Sequence, residues 1–216
     1  MVSHDSDKIA HIHRELHSHL PPEPGLRVKA LETVLIEKGF LQNDTVDNWL
    51  ENYAEKIGPK VGARVIARSW IDPSFEQTLR DDAMKAFVEL DLAEEGGGYD
   101  LQAVFNSESE HNLVVCTLCS CYPLRLLGMS PAWYKSTEYR ARAVRDPHGV
   151  LEEFGVELSD DVKLHVWDST SERRFMVVPQ RPPATDGWSE DDLANLVTRN
   201  SMIGTHRDLS PGPETR

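Results

Sequence analysis

Three cysteines fall within six residues of this 216-residue chain, in "VVCTLCSCYP": Cys116, Cys119 and Cys121, and there is no fourth. Thiolates are the form of cysteine that ligates transition metals. A Cys-x-x-Cys-x-Cys run on a loop brings three sulfurs to one ion. The single residue between Cys119 and Cys121 keeps the chain close to that ion. The backbone amides of Ser120 and Cys121 then become further ligands if they lose their protons, which a strongly Lewis-acidic, trivalent ion favours. A six-coordinate ion would keep one position for water or substrate. Ligated and partly exposed thiolates also move toward sulfenic and sulfinic acids. Other chemistries fit the pattern less well. An odd cysteine count is no disulfide framework, and a zinc ribbon needs a second ligand pair. A thioredoxin-like motif opens a helix, whereas "CTLCSCYP" reads as a tight loop closed by Pro123. Spacing alone leaves open a buried cysteine cluster without metal, or an adventitious zinc or iron–sulfur site.

The chain around this loop has an ordinary globular composition, 39% hydrophobic and 27% charged, enough for one core with an appended arm. It has no apolar run long enough for a membrane span, and its polar N-terminus is unlike a signal peptide. A cytoplasmic protein is expected. The net charge of −13 argues against nucleic-acid binding. The basic run "YRARAVRDP" reads as a solvated helix face or a subunit contact.

Residues 1–25 read as a flexible tail. It holds His4, His11, His13, His17 and His19, suited to metal capture or simply polar. Residues 26–93 read as a helical N-terminal arm. Val28, Leu31, Val34 or Leu35, and Phe40 recur at helical spacing up to Gly39. A helix through Trp49 and Tyr53 is expected to end at Gly58-Pro59. A third carries Trp70, and a fourth runs over 73–92. The glycines of "AEEGGGYD" break the chain. Residues 94–206 read as an α/β metal-binding catalytic domain, and 207–216 as a frayed tail. In that domain "LQAVFN" and "HNLVVC" are strands around the turn "NSESE", and "VKLHVWDST" and "RRFMVVPQRP" are two more. "SEDDLANLVTRNSMIG" is one helix, capped by Ser189 with Asp192. The fold class is α+β.

The cysteine run resembles the metal-binding signature of nitrile hydratase α subunits and of the related thiocyanate hydrolase γ subunit. "ALETVLIEKG", "GPKVGARVIARSWIDPSF", "PAWYKSTEYRARAVRDP", "VWDSTSERRFMVVPQRP" and "TDGWSEDDLANLVTR" look like further blocks of that family, in order, over residues 26–205. The resemblance implies a layered α/β metal domain behind a helical arm that wraps a β-type partner of one chain or two. It implies a trivalent ion held by the sulfurs of Cys116 (axial), Cys119 and Cys121 and the amides of Ser120 and Cys121. Cys119 would be the sulfinic acid, and Cys121 the sulfenic acid that serves as nucleophile or base. Arginines of the partner would hold the oxidised sulfurs. Thr117 matches the cobalt-type signature, so Co(3+) is expected over Fe(3+), with a cobalt-insertion activator as a second partner. Asp168 and Glu172 match acidic residues behind the site. The implied reaction adds water to a nitrile to give an amide.

Two stretches depart from the family pattern. Leu124 and Arg125 stand where Trp-Pro commonly follows Cys-Tyr-Pro, and Gly97 stands at a Gln. Both imply a roomier pocket, suited to a bulky heterocyclic nitrile as in the toyocamycin nitrile hydratases. Thiocyanate hydrolase γ subunits carry an Arg near this position, which keeps thiocyanate hydrolysis as the alternative. A cobalt-binding or cobalt-storage subunit without activity of its own is a third reading.

Overall fold

The computed structural model describes residues 24–46, 58–92, 100–119 and 121–209. The chain divides into two compact units, Met1–Leu50 and Glu51–Arg216. In the first, helix α1 (Pro24–Glu37) stops at Gly39, whose φ of 74° lets the amides of Gly39 and Phe40 turn back to the carbonyls of Ile36 and Leu35. The apolar positions Leu26, Val28, Leu31 and Val34 are exposed. The histidine tail, Trp49, Tyr53 and Gly97 lie outside the described residues.

The second unit opens with α2 (Pro59–Ile71), which starts on a proline and buries Val61, Val65 and Ile66 along one face. Asp72 then closes α2 and caps α3 (Pro73–Asp81), accepting from the amides of Ser74 and Phe75 at 3.0 and 3.1 Å. The single helix expected over 73–92 is two. Asp82 leaves helical geometry and accepts from the Lys85 amide at 3.0 Å, starting α4 (Ala83–Glu89). A short carboxylate competes with the helix ladder in this way.

The four expected strands exist: β1 (Asp100–Phe105), β2 (Glu110–Val115), β3 (Lys163–Asp168) and β4 (Arg173–Val178). β1 does not pair with β2, nor β3 with β4. β1 runs parallel to β4 and β2 parallel to β3, in two two-stranded sheets. Burial explains this choice. His111 to Val115 are all buried, and so are Phe175 to Val178, which is the mark of strands covered on both faces. Leu101, Ala103, Leu113, Val115, Met176 and Val178 join the main core. The alternate residues Val104, Val114, Phe175 and Val177, with Trp167, make a second core drawn from all four strands.

Helices cover the outer faces. α3 and α4 pack on β1; α6 (Thr137–Arg145) packs on β2 and α7 (Pro147–Glu153) on β3. The result is the expected layered α+β arrangement. The boundary differs from the expected one near residue 93. Val65, Ile66, Leu79 and Phe87, placed with the arm on sequence, are fully buried in the same core as the strands. Trp70 takes the core role, donating its Nε1–H to the Pro179 carbonyl at 3.0 Å.

The helix expected over 189–204 is also two, α8 (Glu190–Leu196) and α9 (Arg199–Ile203). Ser189 accepts from the Asp192 amide as expected, but the reciprocal capping box forms at Thr198 and Ser201. Leu209, placed in the C-terminal tail on sequence, is buried.

A buried polar network ties these layers together. His111 is fully buried. Its Nε2 lies 2.8 Å from the Gly204 carbonyl and its Nδ1 3.3 Å from Asn106 Nδ2. A carbonyl only accepts, so Nε2 carries the proton and Nδ1 accepts from the amide. Burial holds the imidazole below its ordinary value of 6.5, and the charge of Arg207 adds to this against the bond to Gly204. The unfolded chain therefore takes a proton first. Stability is full above about 6.5, the ordinary imidazole value, and falls as the pH drops below it. Thermal melting between pH 7 and 5 should show this fall, and His111→Gln should flatten it while lowering stability throughout.

Candidate metal centre

The cysteine loop begins where β2 ends. Val115 pairs with Asp168, the last residue of β3, so the end of the sheet sets the position of the loop. Asp168 accepts from the Thr117 amide at 2.9 Å and from its hydroxyl at 2.6 Å. The Ser169 amide donates to the Val115 carbonyl at 2.7 Å. Cys116 is thereby fully buried, while Cys121 is half-buried and Cys119 exposed. The loop closes at Pro123, ahead of the short helix α5 (Leu124–Leu127).

The three sulfurs converge. Cys119 Sγ is 3.4 Å from Cys116 Sγ and 3.0 Å from Cys121 Sγ, and all three lie within 4.8 Å of one another. Three thiolates so close would repel one another unless a cation joined them. Burial pushes the Cys121 thiol up to about 12, helped by its bond to Cys119 and the charge of Cys116, against the pull of Arg174. A site built this way could hold a thiophilic metal ion, which would remove the repulsion and the protons together.

The loop rests on an aromatic and basic floor from the segment that follows it. A 3-10 turn (Ala132–Lys135) carries Tyr134, fully buried, whose hydroxyl donates to the Cys121 carbonyl at 3.0 Å. Arg140 on α6 donates to the Cys119 carbonyl at 2.7 Å. Tyr139 donates to the Val114 carbonyl at 2.6 Å. The rings of Tyr122 and Tyr134 meet edge-on at 5.2 Å. None of Tyr134, Tyr139 or Arg140 stands out in the sequence as a site residue. The run "YRARAVRDP", expected as a solvated face, divides: Arg140 reaches the loop, while Arg142 pairs with Glu153 and Asp146. The signal available was a tyrosine and arginine at helical spacing just after the cysteines.

The other expected residues divide too. Thr117 and Asp168 meet as described. Glu172 is exposed, and its described contacts are main-chain: its carbonyl accepts from the Asp100 amide at 2.7 Å. Leu124 and Arg125 are exposed on the first turn of α5. A cleft of about 850 Å³ runs along Gly187–Ser189 and residues 192–209, and none of the cysteine-loop residues lines it. Ser120 lies outside the described residues. Removing the Asp168 charge should loosen the loop. Asp168→Asn is expected to weaken metal retention about 10- to 100-fold, the usual cost of an outer partner of a ligand, measured as metal loss to a chelator.

A three-thiol loop at the end of a parallel strand pair, floored by tyrosine and arginine, is a candidate cysteine-ligated metal centre. Residues 23–206 match the family "nitrile hydratase, alpha chain", and the chain belongs to it. It is 50% identical over 186 residues to the high-molecular weight cobalt-containing nitrile hydratase subunit alpha of Rhodococcus rhodochrous, covering 86% of this chain and 91% of that one. It is 37% identical over 185 residues to thiocyanate hydrolase subunit gamma of Thiobacillus thioparus, covering 81% and 76%. Among solved structures, a double mutant of Fe-type nitrile hydratase from Comamonas testosteroni Ni1 superposes with a TM-score of 0.75 at 34% identity, covering 88% of this chain and 94% of that one. No described helix is long and apolar enough to cross a membrane.

Proposed function

We propose that this chain is the metal-bearing α subunit of a nitrile hydratase, R–C≡N + H₂O → R–CO–NH₂, and that its ion is trivalent cobalt. The convergence of three cysteine sulfurs within 4.8 Å carries the reading. The sulfurs of Cys116, Cys119 and Cys121, with the main-chain nitrogens of Ser120 and Cys121, would hold the ion. Cobalt bound there supplies Lewis acidity toward the nitrile or water. Thr117 favours cobalt over iron as a family pattern, and its hydroxyl is committed to Asp168.

The chain's own residues set the site. Asp168 fixes the entry to the loop, and buried Cys116 anchors the sulfurs to the end of β2. Cys119 and Cys121 face the accessible side. Cys121, oxidised to the sulfenate, supplies the nucleophile or base, and Cys119 is the sulfinate. Leu118 at the loop tip is 86% exposed, and Leu124 and Arg125 are exposed nearby in sequence. A reaction that needs water excluded needs this face covered. A β-type partner, of one chain or two, provides the cover, with the exposed apolar residues of α1 as part of its grip. A cobalt-insertion activator delivers the ion. Leu124 in place of an aromatic residue makes room for a bulky heteroaromatic nitrile.

The thiocyanate hydrolase γ-like reading is favoured by one observation, the Leu124-Arg125 pair where nitrile hydratases carry Trp-Pro. An assay of the cobalt-loaded chain, alone and with a β-type subunit, separates the readings. We expect amide formation with the partner, faster for heteroaromatic than for small aliphatic nitriles. Turnover of thiocyanate alone would favour the second reading. Cobalt binding with no turnover of either would leave a metal-carrying subunit.

A further inference from the structure

Two side chains grip the main chain of the cysteine loop from within the same subunit. Arg140 Nη1 holds the Cys119 carbonyl at 2.7 Å, and the Tyr134 hydroxyl holds the Cys121 carbonyl at 3.0 Å. These carbonyls bracket residue 120, the single residue that sets the distance between Cys119 and Cys121. The grip is stiff. Tyr134 is fully buried among Tyr122, Trp133 and Tyr139, and α6, which carries Arg140, is pinned to β2 through Tyr139. The guanidinium brings a charge as well. A charged donor makes a stronger bond than a neutral one. The Nε–H of Arg140 is buried without an acceptor among the described residues, a costly arrangement for a loop in its thiol form.

We propose that Arg140 and Tyr134 form a built-in clamp that presets the cysteine loop for its metal. Both are positioning residues. The clamp belongs to this chain and acts on main-chain oxygens, so it works before any partner arrives. It rests on the metal reading above.

The test compares the full chain, produced with cobalt, as wild type, R140Q, R140K and Y134F. Three quantities are read: cobalt remaining after dialysis against EDTA, the sulfur-to-cobalt charge-transfer absorption, and melting of the metal-free form. R140Q should lose cobalt about 10- to 100-fold faster, with a shifted charge-transfer band and a metal-free melting point within about 3 °C of wild type. R140K should restore the band and much of the retention. Y134F should move in the direction of R140Q by less, and it decides the matter if R140Q does not fold. Wild-type retention and spectrum in both R140Q and Y134F would overturn the clamp while leaving the metal reading intact. R140K as defective as R140Q would overturn the role of a charged donor to the Cys119 carbonyl. A wild-type chain that binds no cobalt would overturn the metal reading, and the clamp with it.

Discussion

Replacing Cys116 by serine is expected to abolish cobalt binding and nitrile hydration while leaving the fold in place. Cys116 is the one fully buried sulfur of the three, set directly at the end of β2 and 3.4 Å from Cys119 Sγ. A serine hydroxyl has nearly the same shape but is a hard, weakly acidic donor, and it does not replace a thiolate for a thiophilic ion. Cys119 and Cys121 would remain, on the exposed side of the loop, without the ligand that fixes them to the sheet. The loss should exceed the roughly 10- to 100-fold cost of removing an outer partner such as Asp168. Metal content after desalting and turnover of a nitrile measure it. Circular dichroism of the metal-free variant should match wild type, because the Asp168, Tyr134 and Tyr139 bonds that shape the loop do not involve the Cys116 side chain.

The second large effect is on stability. Gly204 ends α9 with φ 96°, a conformation that costs an L-residue energy. A Cβ on it would fall deep inside contact distance of the Asn112 carbonyl oxygen and 3.0 Å from Leu113 Cα. Both obstacles are backbone of β2, the strand that carries the cysteine loop, so neither can move aside cheaply. The Gly204 carbonyl also accepts from His111, itself in the network of Asn106, Asn112 and Trp167. Gly204→Ala combines strain, a clash with a buried strand and a broken buried hydrogen bond. It should cost about 4 kcal/mol or more, the range reserved for such combined faults. Urea unfolding would show the loss as a lower midpoint. Gly39, with φ of 74° but open space around it, is the control: Gly39→Ala should cost about 1 kcal/mol for the backbone alone.

The site was legible where chemistry is written in consecutive residues. Cys116, Cys119 and Cys121 make a candidate metal site by spacing, and their sulfurs do converge. Element types were readable from periodicity and turn residues, as in the strand 110–115 and the helix stopped at Gly39. What escaped were choices made by distant parts of the chain. Whether β1 pairs with β2 or with β4 depends on both of its faces being covered, and local alternation does not state that. The breaks at Asp82 and Val197 depend on side chains that cap rather than continue a helix. Tyr134 and Arg140 look like a helix face until the loop is folded over them. Their role lies in hydrogen bonds to main-chain oxygens, for which sequence carries no spacing rule.

The central claim is that the loop of residues 116–121 is a cobalt site. Elemental analysis of the chain, produced with cobalt and with iron supplied in parallel, tests it most directly. About one tightly held cobalt per chain is expected, which does not exchange on dialysis, as for an ion closed in by thiolates. Zinc in its place, or no metal under either condition with the β-type partner and activator present, would contradict it.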